Sequence, residues 1–220
     1  MIFVALPIGA LLSDAVAKCK SRADVAFVVD ASDSMVDMFE KQKTFIKKIG
    51  ESLNIGGKES HVGIVSFSNK PKIVLKFSEK TNASVLEKTV DSLALLGGTS
   101  RLDTALKLAF DGLFRVHRMR LEVPQILILL TDGAQTRYIN AVPASQAIAP
   151  FHESNVKVLV VGIGEKAKKV ELGGLVKSNN DLYMAKTAND LTSDKILAGI
   201  RASACQPGNR LKNISYACLS

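Results

Sequence analysis

Four short runs limit what this chain can fold into: VAFVVD at 25–30, VGIVSF at 62–67, ILILLTD at 126–132 and VKVLVVGIG at 156–164. Each is rich in β-branched residues and apolar at consecutive positions, not alternating ones, as in strands covered on both faces of a parallel sheet. Helical spacing fills the intervals. Phe39, Ile46, Ile49 and Leu53 recur at helical intervals, as do Leu102, Ala105, Leu106, Ala109 and Leu113, while Lys41, Lys43, Lys47 and Lys48 face elsewhere. Further helices are expected around 142–154, 167–177 and 190–203. One pair breaks the alternation: KIVLKF at 72–77 follows VGIVSF after only SNKP, a turn of hairpin length. The expected fold is α/β, an open doubly wound, Rossmann-like sheet of about six mostly parallel strands, with one antiparallel edge strand and helices on both faces. A length of 220 residues with 47% apolar content suits one such domain.

In open sheets of this kind ligands bind beyond the carboxyl ends of the strands, where strand order reverses, so polar residues just after strands carry the functional signal. The first run ends in Asp30-Ala31-Ser32-Asp33-Ser34, which sets a carboxylate and two hydroxyls at every second position of one turn. After the second helix, Gly97-Gly98-Thr99 precedes a helix carrying Ala105-Leu106, and the central strand closes in Thr131-Asp132-Gly133. These oxygens are hard donors suited to Mg²⁺, Ca²⁺ or Mn²⁺, and no nearby His or Cys pattern favours zinc. The three loops, in this order and at these places, resemble the metal-binding loops of the von Willebrand factor A family, matrilin- and collagen-VI-like, over roughly residues 23–203. The resemblance implies that Ser32, Ser34 and Thr99 supply oxygens to Mg²⁺ (or Mn²⁺ or Ca²⁺), with Asp30 and Asp132 bound directly or through water. It leaves one coordination position for an acidic residue of a partner, an extracellular matrix protein such as collagen. That chemistry is adhesion, not catalysis.

Taken singly, each loop has an ordinary reading. Ser32 or Ser34 can cap the first helix, Thr99 the third, and Thr131-Asp132-Gly133 can be a plain turn; only their conjunction is left unexplained. Asp33, Asp37 and Asp103 are expected to face solvent. A rival motif, Gly162-Ile163-Gly164-Glu165-Lys166-Ala167 with Asp181 downstream, fits a dinucleotide-binding fingerprint, but stands late in the chain instead of opening the first β-α-β unit. There is no Gly-x-Ser-x-Gly elbow and no phosphate loop. His61, His117 and His152 stand isolated in sequence, without His-Glu-x-x-His spacing, and are expected at surface or core positions.

Residues 1–17, apolar from Ile2 to Leu12 and ending Ala15-Val16-Ala17, look like a signal peptide without the usual basic start; a buried first element is the other reading. No segment reaches the length of a membrane span. A domain over 18–205 and a tail over 206–220 that leads to a further module complete the expected organisation. Cys19 and Cys205 are expected to pair and tie the domain's ends; Cys205 with Cys218 is the alternative. Asn82-Ala83-Ser84 and Asn213-Ile214-Ser215 are N-glycosylation sequons. Together these features point to a secreted matrix protein. The formal charge of +8 adds sulfated glycans as expected partners, while the absence of any nucleic-acid motif argues against nucleic acid. A structural matrix component that binds polyanions, with a non-essential metal site, and an intracellular relative of the same fold are the competing classes.

Overall fold

The computed structural model describes residues 18–205 apart from Lys20, Arg118, Met119, Leu121, Ala134, Thr136 and Arg137. The signal-like segment, the tail, Asn213 and Cys218 lie outside the described residues. Six strands, β1 (Asp24–Asp30), β2 (His61–Phe67), β3 (Lys72–Leu75), β4 (Gln125–Thr131), β5 (Lys157–Ile163) and β6 (Leu182–Ala185), form one sheet in the order β3-β2-β1-β4-β5-β6. Every pairing is parallel except that of β2 with the edge strand β3. The order reverses between β1 and β4, which leaves the crevice for a ligand between their carboxyl ends.

The helices are α1 (Phe39–Ser52), α2 (Ala83–Asp91), α3 (Leu102–Ala109), α4 (Ala144–Ala147), α5 (Ala149–Glu153), α6 (Lys169–Gly173), α7 (Ala188–Leu191) and α8 (Asp194–Cys205). All seven residues of β1 are buried because both of its faces are covered. Val25, Phe27 and Val29 share a core with Phe45, Ile46 and Ile49 of α1 and with Ile196 and Ile200 of α8. Ala26 and Val28 belong to the opposite core, with Leu102 and Leu106 of α3, Phe151 of α5 and Leu172 of α6. Each large side chain so buried contributes roughly 1.5–3 kcal/mol relative to leaving it in water.

The fold agrees with the expected class, and the departures are local. The helix expected at 142–154 is split into α4 and α5, because Pro150 lacks the N–H that would bond back to Gln146. That at 167–177 shrinks to Lys169–Gly173, and that at 190–203 becomes α7 and α8, separated at Thr192 and Ser193. β6 is an apolar run of only four residues, LYMA, three of them half buried, and is not among the runs marked in the sequence. Cys19 and Cys205 form a disulfide with Cα atoms 5.0 Å apart, fastening the lead-in to β1 onto the end of α8. Among the described residues no helix is long and apolar enough to cross a membrane.

Candidate metal centre

Asp30 is the last residue of β1 and Asp132 the first after β4, so the reversal in strand order sets two carboxylates side by side. Both are buried, Asp30 fully and Asp132 at 3% exposure. Asp30 Oδ1 accepts the Ser32 backbone N–H at 3.0 Å and the Ser32 hydroxyl at 2.6 Å. Its Oδ2 accepts the hydroxyls of Ser100 at 3.1 Å and Thr131 at 3.0 Å. Ser32 Oγ lies 3.2 Å from Ser34 Oγ, and Ser34 itself is exposed. The result is a shallow cup with carboxylates at its floor and hydroxyls rising to its rim.

Backbone bonding holds the loop that carries Thr99 against the loop of Ser32. The N–H groups of Leu96 and Gly97 donate to the Ala31 carbonyl at 2.9 and 3.0 Å, and Asp33 N donates to the Gly98 carbonyl at 3.1 Å, strapping the two loops together. Gly97 and Gly98 take φ of +69° and +76°, and a Cβ on Gly98 would stand 2.6 Å from Asn69 Nδ2. Asn69, on the β2–β3 hairpin, accepts the Thr99 N–H at 2.8 Å and also its hydroxyl. The Tyr138 hydroxyl meets the Thr99 hydroxyl from the loop after β4, and the Arg101 guanidinium lies 4.2 Å over the Tyr138 ring. Gln42 of α1 donates to the Asp30 carbonyl at 2.9 Å from beneath.

The capping alternatives do not describe these hydroxyls. Ser32 stands at the head of a single 3-10 turn, Asp33–Met35, yet its side chain caps nothing, and α3 begins after Arg101, two residues beyond Thr99. Burial pushes the Asp30 carboxyl above its ordinary value of 3.8; bonds from Ser32 and Thr131 oppose the rise and the charge of Asp132 adds to it. Two anionic groups under an all-oxygen rim make a donor set that a hard divalent cation fits.

The structure brings together all three loops singled out from the sequence, binds Thr131 of the third to Asp30, and adds Asn69, Ser100 and Tyr138. Ser100 adjoins a residue already marked and is a hydroxyl in the same loop; Asn69 and Tyr138 carried no signal of their own. Asp33 and Asp37 are exposed as expected, whereas Asp103 is buried: it pairs with Arg101 at 3.3 Å and accepts the Val142 N–H at 3.4 Å. The dinucleotide fingerprint lacks its structural context. α6 starts only at Lys169, has five residues, and Gly162 is packed under Leu172 and Met184. Nor are the histidines all isolated: His61 and His117 meet beside Asp24, at the amino end of β1 and so at the opposite edge of the sheet from Asp30.

Comparison with known proteins agrees with this architecture. The human collagen alpha-1(XXI) chain is 25% identical over 184 residues, covering 83% of this chain and 18% of that protein. Human cochlin is 32% identical over 154 residues, covering 69% of this chain and 27% of its own length. The chain thus spans less than a third of these relatives, which are extracellular matrix proteins. Among solved structures, proximal thread matrix protein 1 from the mussel byssus, with a zinc-occupied MIDAS motif, superposes with a TM-score of 0.75 at 22% identity over 86% of this chain and 47% of that one, a likeness of fold. The von Willebrand factor type A domain matches residues 24–197, and the chain belongs to that family.

Proposed function

We propose that this chain is a secreted adhesion domain of the extracellular matrix that engages an acidic side chain of a protein partner, collagen or another matrix protein, through a divalent cation. The observation that carries the reading is the cup itself: two buried carboxylates at the strand-order reversal, the hydroxyls of Ser32 and Ser34 at Asp30, and the loop that carries Thr99 strapped beside them. In this reading the three hydroxyls ligate, Asp30 and Asp132 ligate directly or through water, and Mg²⁺ is the resident ion, replaceable by Mn²⁺ or Ca²⁺. The bound ion would supply an electrophilic position for a carboxylate from outside. Asp30 and Asp132 balance its charge, and the same cation offsets their mutual repulsion. Val36, Ile139 and Val170, exposed by 62%, 94% and 92%, follow β1, β4 and β5 at the same edge and offer apolar area for a protein surface. Affinity would come mainly from such contacts, with the ion setting specificity.

The kinship with matrix proteins supports export, with 1–17 removed as a signal peptide, a domain over 18–205 and a tail over 206–220. Asn82 is exposed and caps α2 by accepting the Val85 N–H at 2.9 Å through Oδ1, a use that leaves its amide nitrogen for a glycan.

The test is calorimetric titration of Mg²⁺ and Mn²⁺ into chelator-stripped protein, with Asp132→Ala as control. Saturable binding at a single site that the variant loses supports the reading, and so does adhesion to matrix protein abolished by chelator. No binding by the folded wild type, with adhesion that fades steeply with salt instead, would favour the structural reading in which the basic surface binds polyanions and the metal site is not needed.

A further inference from the structure

We propose that Asp24, His61 and His117 form a second metal site, of zinc type, at the amino edge of the sheet, independent of the oxygen cup at the carboxyl edge. Asp24 opens β1 and His61 opens β2, and the two are register partners in the parallel pair. His117 arrives from the turn after the π-helical stretch Phe110–Phe114 that continues α3. The ligand atoms of the three side chains all lie within 4.8 Å of one another. His61 Nδ1 is 3.1 Å from His117 Nε2, and His117 Nε2 is 3.4 Å from Asp24 Oδ2. Tetrahedral Zn²⁺ with donors at about 2.0–2.1 Å requires donor-to-donor edges of about 3.3–3.4 Å, so these two edges are already near length.

The surroundings orient the donors. His61 Nε2 faces the Gly57 carbonyl at 2.9 Å, and a carbonyl only accepts, so the proton of a neutral His61 sits on Nε2 and the Nδ1 lone pair is turned toward the cluster. A backbone carbonyl holding the distal nitrogen of a ligating histidine is a common outer-shell arrangement. Asp24 is fully buried; its Oδ1 takes the Arg120 guanidinium, which also donates to the Lys58 and Glu59 carbonyls, and its Oδ2 accepts no hydrogen bond. A buried carboxylate oxygen without a donor is costly, and a cation at this point removes the cost. In the metal-free chain the neutral His117 carries its proton on Nε2 and donates to His61 Nδ1; to bind Zn²⁺ through Nε2 it takes the other tautomer, with that proton on Nδ1, and a fourth position is left open toward solvent at His117, whose side chain is 21% exposed. Two imidazoles and one carboxylate suit Zn²⁺, whereas Mg²⁺ prefers the all-oxygen cup. β1 has seven residues, so its two ends, and the two sites, stand about 20 Å apart.

The experiment uses the full chain, stripped of metal and held in excess Mg²⁺ so that oxygen sites are filled. Co²⁺ is added and its visible absorption followed, then Zn²⁺ is titrated in to displace it. One equivalent of tetrahedral Co²⁺, displaced by Zn²⁺, is expected in wild type and in Asp132→Ala. His117→Gln, at a partly exposed position where folding is checked by circular dichroism, is expected to lose more than the roughly 10- to 100-fold in affinity that removing an outer partner costs. No uptake by the folded wild type, uptake unchanged in His117→Gln, or uptake lost in Asp132→Ala would each overturn the proposal. Because the last outcome also separates the two sites, a failure of the oxygen cup and a failure of this one are distinguishable.

Discussion

The Thr131 hydroxyl donates to Asp30 Oδ2 at 3.0 Å, tying the carboxyl ends of β1 and β4 side chain to side chain one residue before Asp132. The same hydroxyl accepts the Gly133 N–H at 3.1 Å, so one buried oxygen fixes both the carboxylate and the turn that presents its neighbour. Thr131→Val keeps the shape and removes both bonds. Chemical denaturation is expected to show a loss of about 1–3 kcal/mol, the cost of leaving buried polar groups unsatisfied. Titration of Mg²⁺ should show weaker binding as the carboxylate loses a donor.

Metal binding at the cup is expected to depend on pH through Asp30, whose carboxyl is raised above 3.8 chiefly by burial. A carboxyl raised on folding binds its proton more tightly in the folded chain than in the unfolded one. The metal-free protein therefore loses stability as pH rises from 3.8 through the raised value, and regains it on acidification across that window. Mg²⁺ competes with the proton, so its affinity should fall about tenfold per pH unit below the folded pKa and level off above it. Denaturation midpoints measured with and without Mg²⁺ across this range should diverge as pH rises. Asp30→Asn should remove the divergence; a wild type with no divergence would contradict the assignment.

Gly98→Ala places a side chain where φ is +76° and Asn69 Nδ2 is 2.6 Å away. The expected destabilisation is about 1–2 kcal/mol from the backbone conformation, plus displacement of the amide that holds Thr99. Metal affinity should fall by more than stability alone explains, which a paired titration and melt would read. An equal loss in Ala substitution of Gly57, which has a positive φ but open space for a Cβ, would sink the idea that Asn69 matters.

Reducing the Cys19–Cys205 bond, which joins residues 186 apart in sequence, is expected to lower unfolding free energy by about 2–5 kcal/mol. Urea denaturation with and without reductant measures it. Because the bond lies at the amino edge of the sheet, Mg²⁺ affinity of the reduced, folded protein should stay the same.

The parallel sheet was legible because a strand buried on both faces, such as β1, must be apolar at consecutive positions. Asp30 and Asp132 were legible for the complementary reason: a carboxylate ending such a strand is hard to explain as packing. Thr99 could be read from its paired glycines, but Asn69 and Tyr138 act only through the meeting of loops 30 and 39 residues away, which no local pattern records. His61 and His117, 56 residues apart, are adjacent only because β2 pairs with β1 and the turn after α3 folds under them. β6 was not legible because LYMA is only four residues long and holds no β-branched residue, so nothing in it stands out from a helical or loop segment.

The 5.0 Å between the Cα atoms of Cys19 and Cys205 also determines how the domain carries mechanical load. Tension applied between these two residues passes across one covalent bridge and bypasses the strands and helices between them. Oxidised, the domain is nearly inextensible between these two points, and the loops of the proposed metal cup at the far edge carry none of the load. Reduced, the same tension would have to be borne by β1 and α8, and stretching could draw out the whole intervening chain.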